Sequence, residues 1–329
     1  MGVEMKMKMS LKTVLGLLMF VVGCATAPRD AIKVATYNIR LAGENGRADR
    51  GTPNAWKERK EDLLALLKKL DLDVFGLQEV YPEQVQFLRA NLAEYEFVGE
   101  HRNADRISGE ASPVCYRKSR FEALDKGTFW LSETPDIPGL KGWGAACPRV
   151  CSYLILRDRS NGRKFCFANA HTDHFSALAR KNGMLLVIER MKKFGSGLPI
   201  VFTGDHNCRE TEAPAMAVKE HLKDALYISE RAQKGSWRTF SGWNWRDREV
   251  PILEALQAPA ELRNAKKGSP DAMKDAQGLH PYEKYGARID YIYVSDGIRV
   301  IDYETVNDSR PGVKLYPSDH FPVVATIEL

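Results

Sequence analysis

The stretch Pro199-Ile-Val-Phe-Thr-Gly-Asp-His-Asn207 gives the strongest indication of how this chain folds. Its apolar first half predicts a buried strand. Gly204 then allows close approach of the backbone and a ligand, because glycine has no side chain. Asp205 and Asn207 follow as an acceptor and a donor at the strand end. An Asx turn that caps a helix from Glu210 onward would account for Asp205 alone.

The same pattern, a polar residue after an apolar run, recurs at three other predicted strand ends. These are Asn38 after residues 34–37, Glu79 after residues 75–77 and His171 after residues 165–170. Loops at strand ends are the usual place for functional sites, because the sheet holds them rigidly. A carboxylate such as Glu79 in this position suits a hard divalent cation. Taken alone, Glu79 is more often a surface residue that opens the helix starting at Pro82 than a metal ligand.

Short β-rich runs alternate with helical patterns along the chain. Strands are predicted at Ile32–Tyr37, Val74–Leu77, Val114–Tyr116, Ser152–Leu156, Lys164–Ala170, Pro199–Thr203, Arg288–Val294 and Pro322–Ile327. Asn161-Gly162 indicates a hairpin, and helical spacing of apolar residues occurs at 63–70 and 177–194. We therefore predict an α+β fold with mixed sheets and helices packed outside. A purely parallel, doubly wound sheet is the alternative.

The C-terminal part adds two more polar motifs. Ser318-Asp319-His320 and Arg288-Ile289-Asp290 offer a histidine and a carboxylate that could orient it as a general base. A metal ion next to a phosphate would neutralise developing charge. The segment His171-Thr172-Asp173-His174 adds a second imidazole. Each histidine alone could be a structural one.

Six motifs, in this order, resemble those of the endonuclease/exonuclease/phosphatase superfamily. They are Tyr37-Asn38-Ile39-Arg40, Gln78-Glu79, Asn169-Ala170-His171-Thr172-Asp173-His174, Gly204-Asp205-His206-Asn207, Arg288-Ile289-Asp290-Tyr291 and Ser318-Asp319-His320. The resemblance extends from Ile32 to Leu329. It implies a four-layer α-β-β-α sandwich with two mixed sheets. It also implies attack of water on a phosphoester, with Mg²⁺ or Mn²⁺ as the cofactor.

The resemblance also implies a role for each matching residue. Glu79 would bind the metal with Asn38 beside it, and Asp319 would help to hold the metal or position His320. His320 would be the general base, oriented by Asp290. The catalytic residues that contact the scissile phosphate would be Asp205, Asn207 and His171. For substrate binding we add Arg40, Arg149, Asp173 and His174, since guanidinium groups bind a terminal phosphate well.

Two segments depart from the family pattern. His206 stands where the family usually has an apolar or aromatic residue, and a buried imidazole there would need a partner. Residues 244–287 form an insertion rich in Ala, Lys, Pro and Asp, which we expect to be a lid or wall over the site.

The substrate is the least determined part, because one fold serves many substrates. The superfamily hydrolyses DNA, RNA, nucleotides, phosphoinositides, sphingomyelin and sugar phosphates. The stretch Phe129–Pro135, with Trp143 and Arg149, resembles an exported bacterial subgroup suspected to act on small or sugar-linked phosphates. We therefore predict an exported phosphatase or phosphodiesterase on small, sugar-linked or lipid phosphoesters. The alternatives are a nuclease on DNA or RNA and, more distantly, a nonenzymatic lipoprotein.

The N-terminus predicts export. Lysines precede the apolar run Val14–Val22, as in a secretory signal. The run ends at Cys24 in a pattern that resembles the bacterial lipobox. We expect residues 1–23 to be a lipoprotein signal peptide, 24–30 a short tether and 31–329 one domain, with a lipid on Cys24 anchoring the protein to the membrane of the bacterial cell envelope. An ordinary cleaved signal with an incidental cysteine is the alternative.

Charge and cysteine content set weaker limits. The net charge is +5, and +3 without residues 1–23, which neither requires nor excludes nucleic acid as a partner. Five cysteines remain after Cys24, an odd number, so at least one is unpaired. No CxxC pair or Cys/His cluster is evident in the sequence, so we expect no zinc site.

Overall fold

The computed structural model describes residues 30–267 and 280–329. Its strands are β1 (Ile32–Asn38), β2 (Val74–Gln78), β3 (Tyr95–Val98), β4 (Val114–Arg117), β5 (Phe121–Trp130), β6 (Val150–Asp158), β7 (Lys164–His171), β8 (Ile200–Asp205), β9 (Lys223–Asp224), β10 (Lys234–Gly235), β11 (Asp290–Val294), β12 (Arg299–Thr305) and β13 (Val323–Glu328). Its helices are α1 (Trp56–Leu70), α2 (Pro82–Asn91), α3 (Ala177–Gly195), α4 (Ala213–Lys219), α5 (Ala225–Ile228), α6 (Ile252–Leu256), α7 (Ala260–Arg263) and α8 (Pro281–Tyr285).

The strands form two mixed sheets. One has the order β10-β12-β13-β1-β2-β4-β3 and the other the order β5-β6-β7-β8-β11-β9. β1 pairs with β2 in parallel and with β13 antiparallel, while β7 pairs with β8 in parallel and with β6 antiparallel. The prediction of mixed sheets is confirmed, and the purely parallel alternative is wrong.

Three apolar cores separate four layers. The inner faces of the two sheets meet around residues such as Val34, Phe167 and Val201. Helix α1 covers the first sheet, since Leu63 and its apolar neighbours at helical spacing pack there. Helix α3 covers the second sheet in the same way, with Met184 and its neighbours facing inward. This is the α-β-β-α sandwich that the sequence motifs implied.

The eight predicted strands are all present, with ends shifted by at most two residues. The strand predicted at Ser152–Leu156 is two residues longer at each end, and the strand predicted from Arg288 begins at Asp290. The predicted hairpin is confirmed, because β6 and β7 pair antiparallel around Asn161-Gly162. Gly162 has a φ of +75° there, a conformation that glycine adopts easily.

A buried polar network ties the two sheets together just below the strand ends. The Asn169 side chain donates to the carbonyl of Leu77 at 2.8 Å. Its Oδ1 accepts from Gln78 Nε2 at 2.7 Å and from Thr203 Oγ1 at 3.1 Å. Hydrogen bonds between buried polar groups favour one arrangement of the elements that carry them. The network therefore fixes β2, β7 and β8 relative to one another where they carry the site.

Gly76 leaves the space that this network needs. A Cβ at position 76 would lie 2.2 Å from the Asn169 amide and 2.7 Å from Thr203 Oγ1. We expect Gly76→Ala to lower the free energy of unfolding by about 3 kcal/mol through overpacking, as measured by urea denaturation. Gly162→Ala is the control, because a Cβ there meets nothing and only its backbone conformation costs about 1 kcal/mol. Equal losses in the two variants would contradict the steric argument.

Within residues 30–267 and 280–329, none of the helices combines the length and the apolar character that a bilayer-spanning segment needs. The predicted signal peptide, Cys24 and the tether up to residue 29 lie outside the described residues.

Candidate active site

Strand register brings the predicted residues to one edge of the sandwich. Asp205 is in register with His171 on one side and with Asp290 on the other, and Asn38 is in register with Gln78. They meet at a cleft of about 320 Å³ between the two sheets. The cleft is lined by Arg40, Leu41, Glu79, Arg102, Glu110, Cys147, Arg149, His171, His174, Asp205, Asn207, Phe240, Ile289, Asp319 and His320.

Asp205 lies at the centre of the cleft and is buried. Its Oδ2 accepts from Asn38 Nδ2 at 3.0 Å and lies 3.5 Å from His171 Nε2 and 3.6 Å from His320 Nε2. Its Oδ1 accepts from the backbone N–H of Asn207 at 3.0 Å, which is the Asx turn considered as an alternative. The turn and the site therefore use the same carboxylate.

His320 and Asp290 form a buried pair. His320 Nδ1 lies 2.9 Å from Asp290 Oδ2, which leaves Nε2 directed toward the cleft. The backbone N–H of Asp290 donates to Thr239 Oγ1 at 3.1 Å, and the Phe240 ring packs 4.9 Å from the imidazole. This arrangement fixes both the orientation and the tautomer of a histidine that can take a proton through Nε2.

Surrounding carboxylates strongly favour protonated His320. Burial opposes the charged form, but Asp290, Asp205 and Asp319 outweigh it and raise the pKa of His320 to about 10. A cation bound to Asp205 or Asp319 would offset part of their charge and lower this pKa toward neutrality. The histidine is then better suited to act as a base near pH 7.

Glu79, Asn38 and Asp319 are a second group of carboxylate and amide side chains at the cleft. Glu79 accepts from Asn38 Nδ2 at 3.0 Å and from the backbone N–H of Leu41 at 2.9 Å. Asp319 Oδ2 lies 3.6 Å from Arg40 Nη1. Arg40 also pairs with Asp49 through Nε at 3.0 Å, so its guanidinium already has two carboxylate partners.

The ligand atoms of the cleft fit a hard divalent cation. Oxygen atoms of Glu79 and Asp205, with a ring nitrogen of His171, lie within 4.8 Å of one another. Burial and the charge of Glu79 raise the pKa of Asp319 to about 6, so negative charge here is only partly compensated by the protein. Carboxylate and amide oxygens are the ligands that Mg²⁺ and Mn²⁺ prefer.

Glu110 is a cleft residue that the sequence did not reveal. Its Oε2 lies 2.8 Å from Arg102 Nη1 and 3.6 Å from both Arg149 Nη1 and His171 Nδ1. Burial opposes its ionisation, but the nearby His171 ring and the two arginines lower the pKa of Glu110 to about 2. The ionised carboxylate orients His171, whose Nε2 accepts from Asn207 Nδ2 at 2.9 Å. Glu110 lies in a loop without any recognisable motif, so no local signal marked it.

Asp173 is the predicted substrate-binding residue that does not line the cleft. It accepts from the backbone N–H groups of Ala146, Phe175 and Ser176 at 3.0, 3.0 and 2.7 Å. Its carboxylate therefore stabilises the turn before α3. His174 does line the cleft, and its Nδ1 lies 3.0 Å from Arg149 Nη2.

The structure also brings a Cys/His group together that the sequence pattern did not show. Ligand atoms of Cys147, Asp173 and His174 lie within 4.8 Å of one another. The sequence has no Cys/His cluster along the chain, and beside this spatial group the expectation of no zinc site stays a prediction. The group is already engaged, since Asp173 serves the turn and the Arg149 cation lies against His174. All five cysteines after Cys24 are free thiols in the structure.

A buried arginine supports the first strand end. Arg59 of α1 donates to the carbonyls of Ile39 at 2.6 Å, Arg40 at 2.7 Å and Pro317 at 3.1 Å. These bonds hold the loop after β1 against the segment that carries Asp319. The sequence marked Arg59 only as part of a charged helix start.

His206 is held by aromatic rings. Its imidazole lies 4.7 Å from the Phe202 ring and is stacked on Tyr291 and Tyr293 at 5.7 and 5.5 Å. Burial lowers its pKa to about 3, so the ring is neutral. His206 thus takes the place of the apolar or aromatic residue that is usual in the family, and its imidazole faces away from the cleft.

The described part of the insertion packs away from the cleft. Arg263 Nε and Asn264 Nδ2 donate to the buried Glu210 at 3.0 and 2.8 Å. None of residues 244–267 and 280–287 lines the cleft. The expected lid or wall is therefore absent from this portion, and residues 268–279 lie outside the described residues.

The sandwich, the His–Asp pair and the clustered carboxylates together define a phosphoester hydrolase. The chain belongs to the Endonuclease/Exonuclease/phosphatase family, whose sequence profile matches residues 35–320. Members of this family generally use a divalent metal ion, and the cleft described above has acidic and histidine groups that could bind one.

Several solved structures are similar to this chain. The mannosyl-6-phosphatase of Bacteroides thetaiotaomicron is 30% identical with a TM-score of 0.73, and the match covers 91% of this chain and 100% of that one. A family protein from Bacteroides vulgatus is also 30% identical, with a TM-score of 0.72 and coverages of 91% and 99%. The human Nocturnin catalytic domain is 17% identical with a TM-score of 0.60 and coverages of 92% and 95%, which supports the fold alone.

The curated relatives are more distant and longer. Nocturnin of Drosophila melanogaster is 24% identical over 91% of this chain and 47% of that protein. The chain spans about half or less of the length of the first curated relatives that it matches.

Proposed function

We propose that this protein is a Mg²⁺- or Mn²⁺-dependent phosphatase that acts on small, sugar-linked phosphomonoesters. The observation that carries the proposal is the group of Arg102, Arg149 and His174, which lines the cleft together with His171 and Asn207. A cavity of about 320 Å³ lined by two guanidinium groups suits a terminal phosphate better than a continuous polymer. The similarity to a mannosyl-6-phosphatase over the whole length of that chain supports the same substrate class.

The bound cation would be held by Glu79 with Asn38 and Asp319 nearby, and it would supply charge neutralisation at the phosphoryl oxygens. His320, oriented by Asp290, takes the proton of the attacking water through Nε2. Asp205 Oδ2 lies 3.6 Å from that nitrogen and helps to position the water. Proton transfer by such a positioned histidine is general-base catalysis.

The phosphoryl group is bound on the other side of Asp205. Asn207 Nδ2 and His171 Nε2 are hydrogen-bonded to each other in the structure, and both groups would turn to the nonbridging oxygens when the substrate binds. Arg149 is buried against Glu110 and His174, so its guanidinium is held in place before the substrate binds. Preorganised donors of this kind stabilise the charge that develops during phosphoryl transfer.

An assay of the purified full chain with Mg²⁺ tests the proposal. Hexose 6-phosphates and p-nitrophenyl phosphate are compared with bis-p-nitrophenyl phosphate, plasmid DNA and RNA. We expect the monoesters to have the highest kcat/KM. Cleavage of DNA or RNA with a higher kcat/KM than any monoester would establish the nuclease alternative instead.

Arg149→Lys is expected to raise the KM for monoesters about tenfold or more, because lysine cannot form a bidentate pair with a terminal phosphate. The control is Arg248→Lys, since Arg248 is an exposed residue paired only with Glu254 among the described contacts. Measurement of kcat and KM on p-nitrophenyl phosphate checks the effect. An unchanged KM in Arg149→Lys would show that Arg149 does not bind the phosphate.

We further propose a location at the cell envelope, with a lipid on Cys24, from the pattern of residues 1–24. Labelling of cells with a radioactive fatty acid is expected to mark the full chain but not Cys24→Ser. Equal labelling of both proteins would contradict lipid attachment at this position.

A further inference from the structure

A second cavity, the flanking cavity, lies beside the catalytic cleft and measures about 380 Å³. Its wall comprises the turn after β1, the start of α2 and the loop between β3 and β4. The side chains that face it are Glu44, Asn45, Tyr81, Glu83, Gln86 and Ser108. None of the site roles described above involves these residues.

The same three segments of the chain line both the flanking cavity and the cleft. Leu41, Glu79 and Glu110 line the cleft. Glu44, Tyr81 and Gly109, which lie one to three residues away from them along the chain, line the flanking cavity. Tyr81 stands at the boundary, because its hydroxyl experiences the charges of Glu110 in the cleft and of Glu44 in the cavity. A molecule with its phosphate in the cleft therefore has room for its organic part here.

Gln84 holds two of the segments that line both spaces, the turn after β1 and the start of α2. Its Oε1 accepts from the backbone N–H groups of Ala42 and Tyr81, both at 3.0 Å, and its Nε2 donates to the carbonyl of Arg40 at 2.9 Å. Gln84 is fully buried. Asp105 similarly accepts from the backbone N–H of Ser108 at 3.0 Å. Both sides of the cavity are thus formed before any ligand binds, which reduces the entropic cost of binding.

The chemistry of the flanking cavity suits hydroxyl groups. Amides of Asn45 and Gln86 and the hydroxyl of Ser108 both donate and accept, and the carboxylates of Glu44 and Glu83 accept. No lysine or arginine occurs among its lining residues, all of which lie in the described part of the chain. Two carboxylates without a cation disfavour a second phosphate, and hence a nucleic acid backbone.

We propose that the flanking cavity binds the neutral sugar of a hexose monophosphate whose phosphate occupies the cleft. This inference rests on the proposed phosphatase function and adds the residues that would select the leaving group. Tyr81 would offer an aromatic wall with a polar edge to the sugar ring, while Glu83 and Gln86 would bind its hydroxyls.

Glu83→Gln and Gln86→Ala test the proposal in the full chain with Mg²⁺. Neither residue belongs to the catalytic machinery, and Gln86 is exposed on the surface of α2. We expect each variant to lower kcat/KM for a hexose 6-phosphate about fivefold to tenfold, mainly through KM, as for the loss of one hydrogen bond. The kcat/KM for p-nitrophenyl phosphate, which has no sugar hydroxyls, should remain near that of the parent. Glu61→Gln, an exposed carboxylate change on α1, is the matched control.

Ligand-observed NMR with the free hexose supplies a second measurement that needs no turnover. Binding by the parent that weakens in both variants, but not in Glu61→Gln, would support the flanking cavity as the sugar site. Turnover of both monoesters with an unchanged ratio in the variants would overturn this inference and leave the proposed function standing. Absence of monoester turnover in the parent would overturn the proposed function itself.

Discussion

His320→Ala is expected to reduce kcat by about three orders of magnitude with little change in KM, because general-base catalysis contributes on this scale. The imidazole is held by Asp290 at 2.9 Å on one nitrogen and directs the other into the cleft at 3.6 Å from Asp205. His171 also lies between two carboxylates, but its Nδ1 is 3.6 Å from Glu110, whereas His320 Nδ1 is 2.9 Å from Asp290. Steady-state kinetics on p-nitrophenyl phosphate with Mg²⁺ measure the change.

Two further variants make this result interpretable. His221→Ala changes an exposed histidine after α4 and should leave kcat unaltered. Asp290→Asn keeps the His320 imidazole but removes the charge that orients it, so we expect a smaller loss, of about a hundredfold. Circular dichroism shows whether each variant is folded. If folded His320→Ala kept kcat within about tenfold of the parent, His320 would not be the base.

Glu79→Gln should lower kcat/KM by about a thousandfold, because a poorly bound cation no longer offsets several kcal/mol of charge at the phosphate. The structure supports this role, since Glu79 lies with Asp205 and His171 in one group of ligand atoms within 4.8 Å. A measurement without substrate gives an independent check. A ligand that binds only the folded state raises the unfolding temperature. Mg²⁺ should therefore stabilise the parent but not Glu79→Gln.

Glu94→Gln is the control for this experiment, because Glu94 is exposed and does not line the cleft. It should retain both the activity and the stabilisation by Mg²⁺. Mg²⁺-dependent stabilisation of Glu79→Gln equal to that of the parent would exclude Glu79 as a metal ligand.

Much of the fold was predictable because its central strands carry local signals. The strands that end at Asn38, His171 and Asp205 are buried on both faces, so each consists mainly of apolar residues and ends at a polar one. The polar residues at these strand ends occur along the chain in the same order as the family motifs. Such a pattern can be recognised without any knowledge of long-range contacts.

The strands that the sequence did not predict lie nearer the edges. In Phe121–Trp130 the middle residues are exposed, including Asp125 and Lys126, because this strand forms one edge of its sheet. Strand Arg299–Thr305 is interrupted by an irregularity between Val300 and Asp302. Neither segment is as consistently apolar as a central strand.

The unpredicted site residues depend on tertiary contacts. Glu110 meets His171 across 61 residues of sequence, and the loop that carries it has no repeated or apolar pattern. Arg59 meets the carbonyl of Pro317 across 258 residues. Only the folded arrangement shows that these side chains support the cleft, since the type of residue alone is also common on surfaces.

The loop between β3 and β4 reaches the cleft with Arg102 and Glu110 and the flanking cavity with Ser108. Trp130 Nε1 donates to the Arg102 carbonyl at 2.7 Å, and the loop pairs with itself through Arg102 N–H and the Glu110 carbonyl at 2.9 Å. The loop is therefore closed by its own hydrogen bond and anchored to β5 through Trp130. Replacing this loop with that of another family member would change Arg102 and Glu110 at the cleft and Ser108 at the flanking cavity together, while His320 and Glu79, on other strand ends, stay in place.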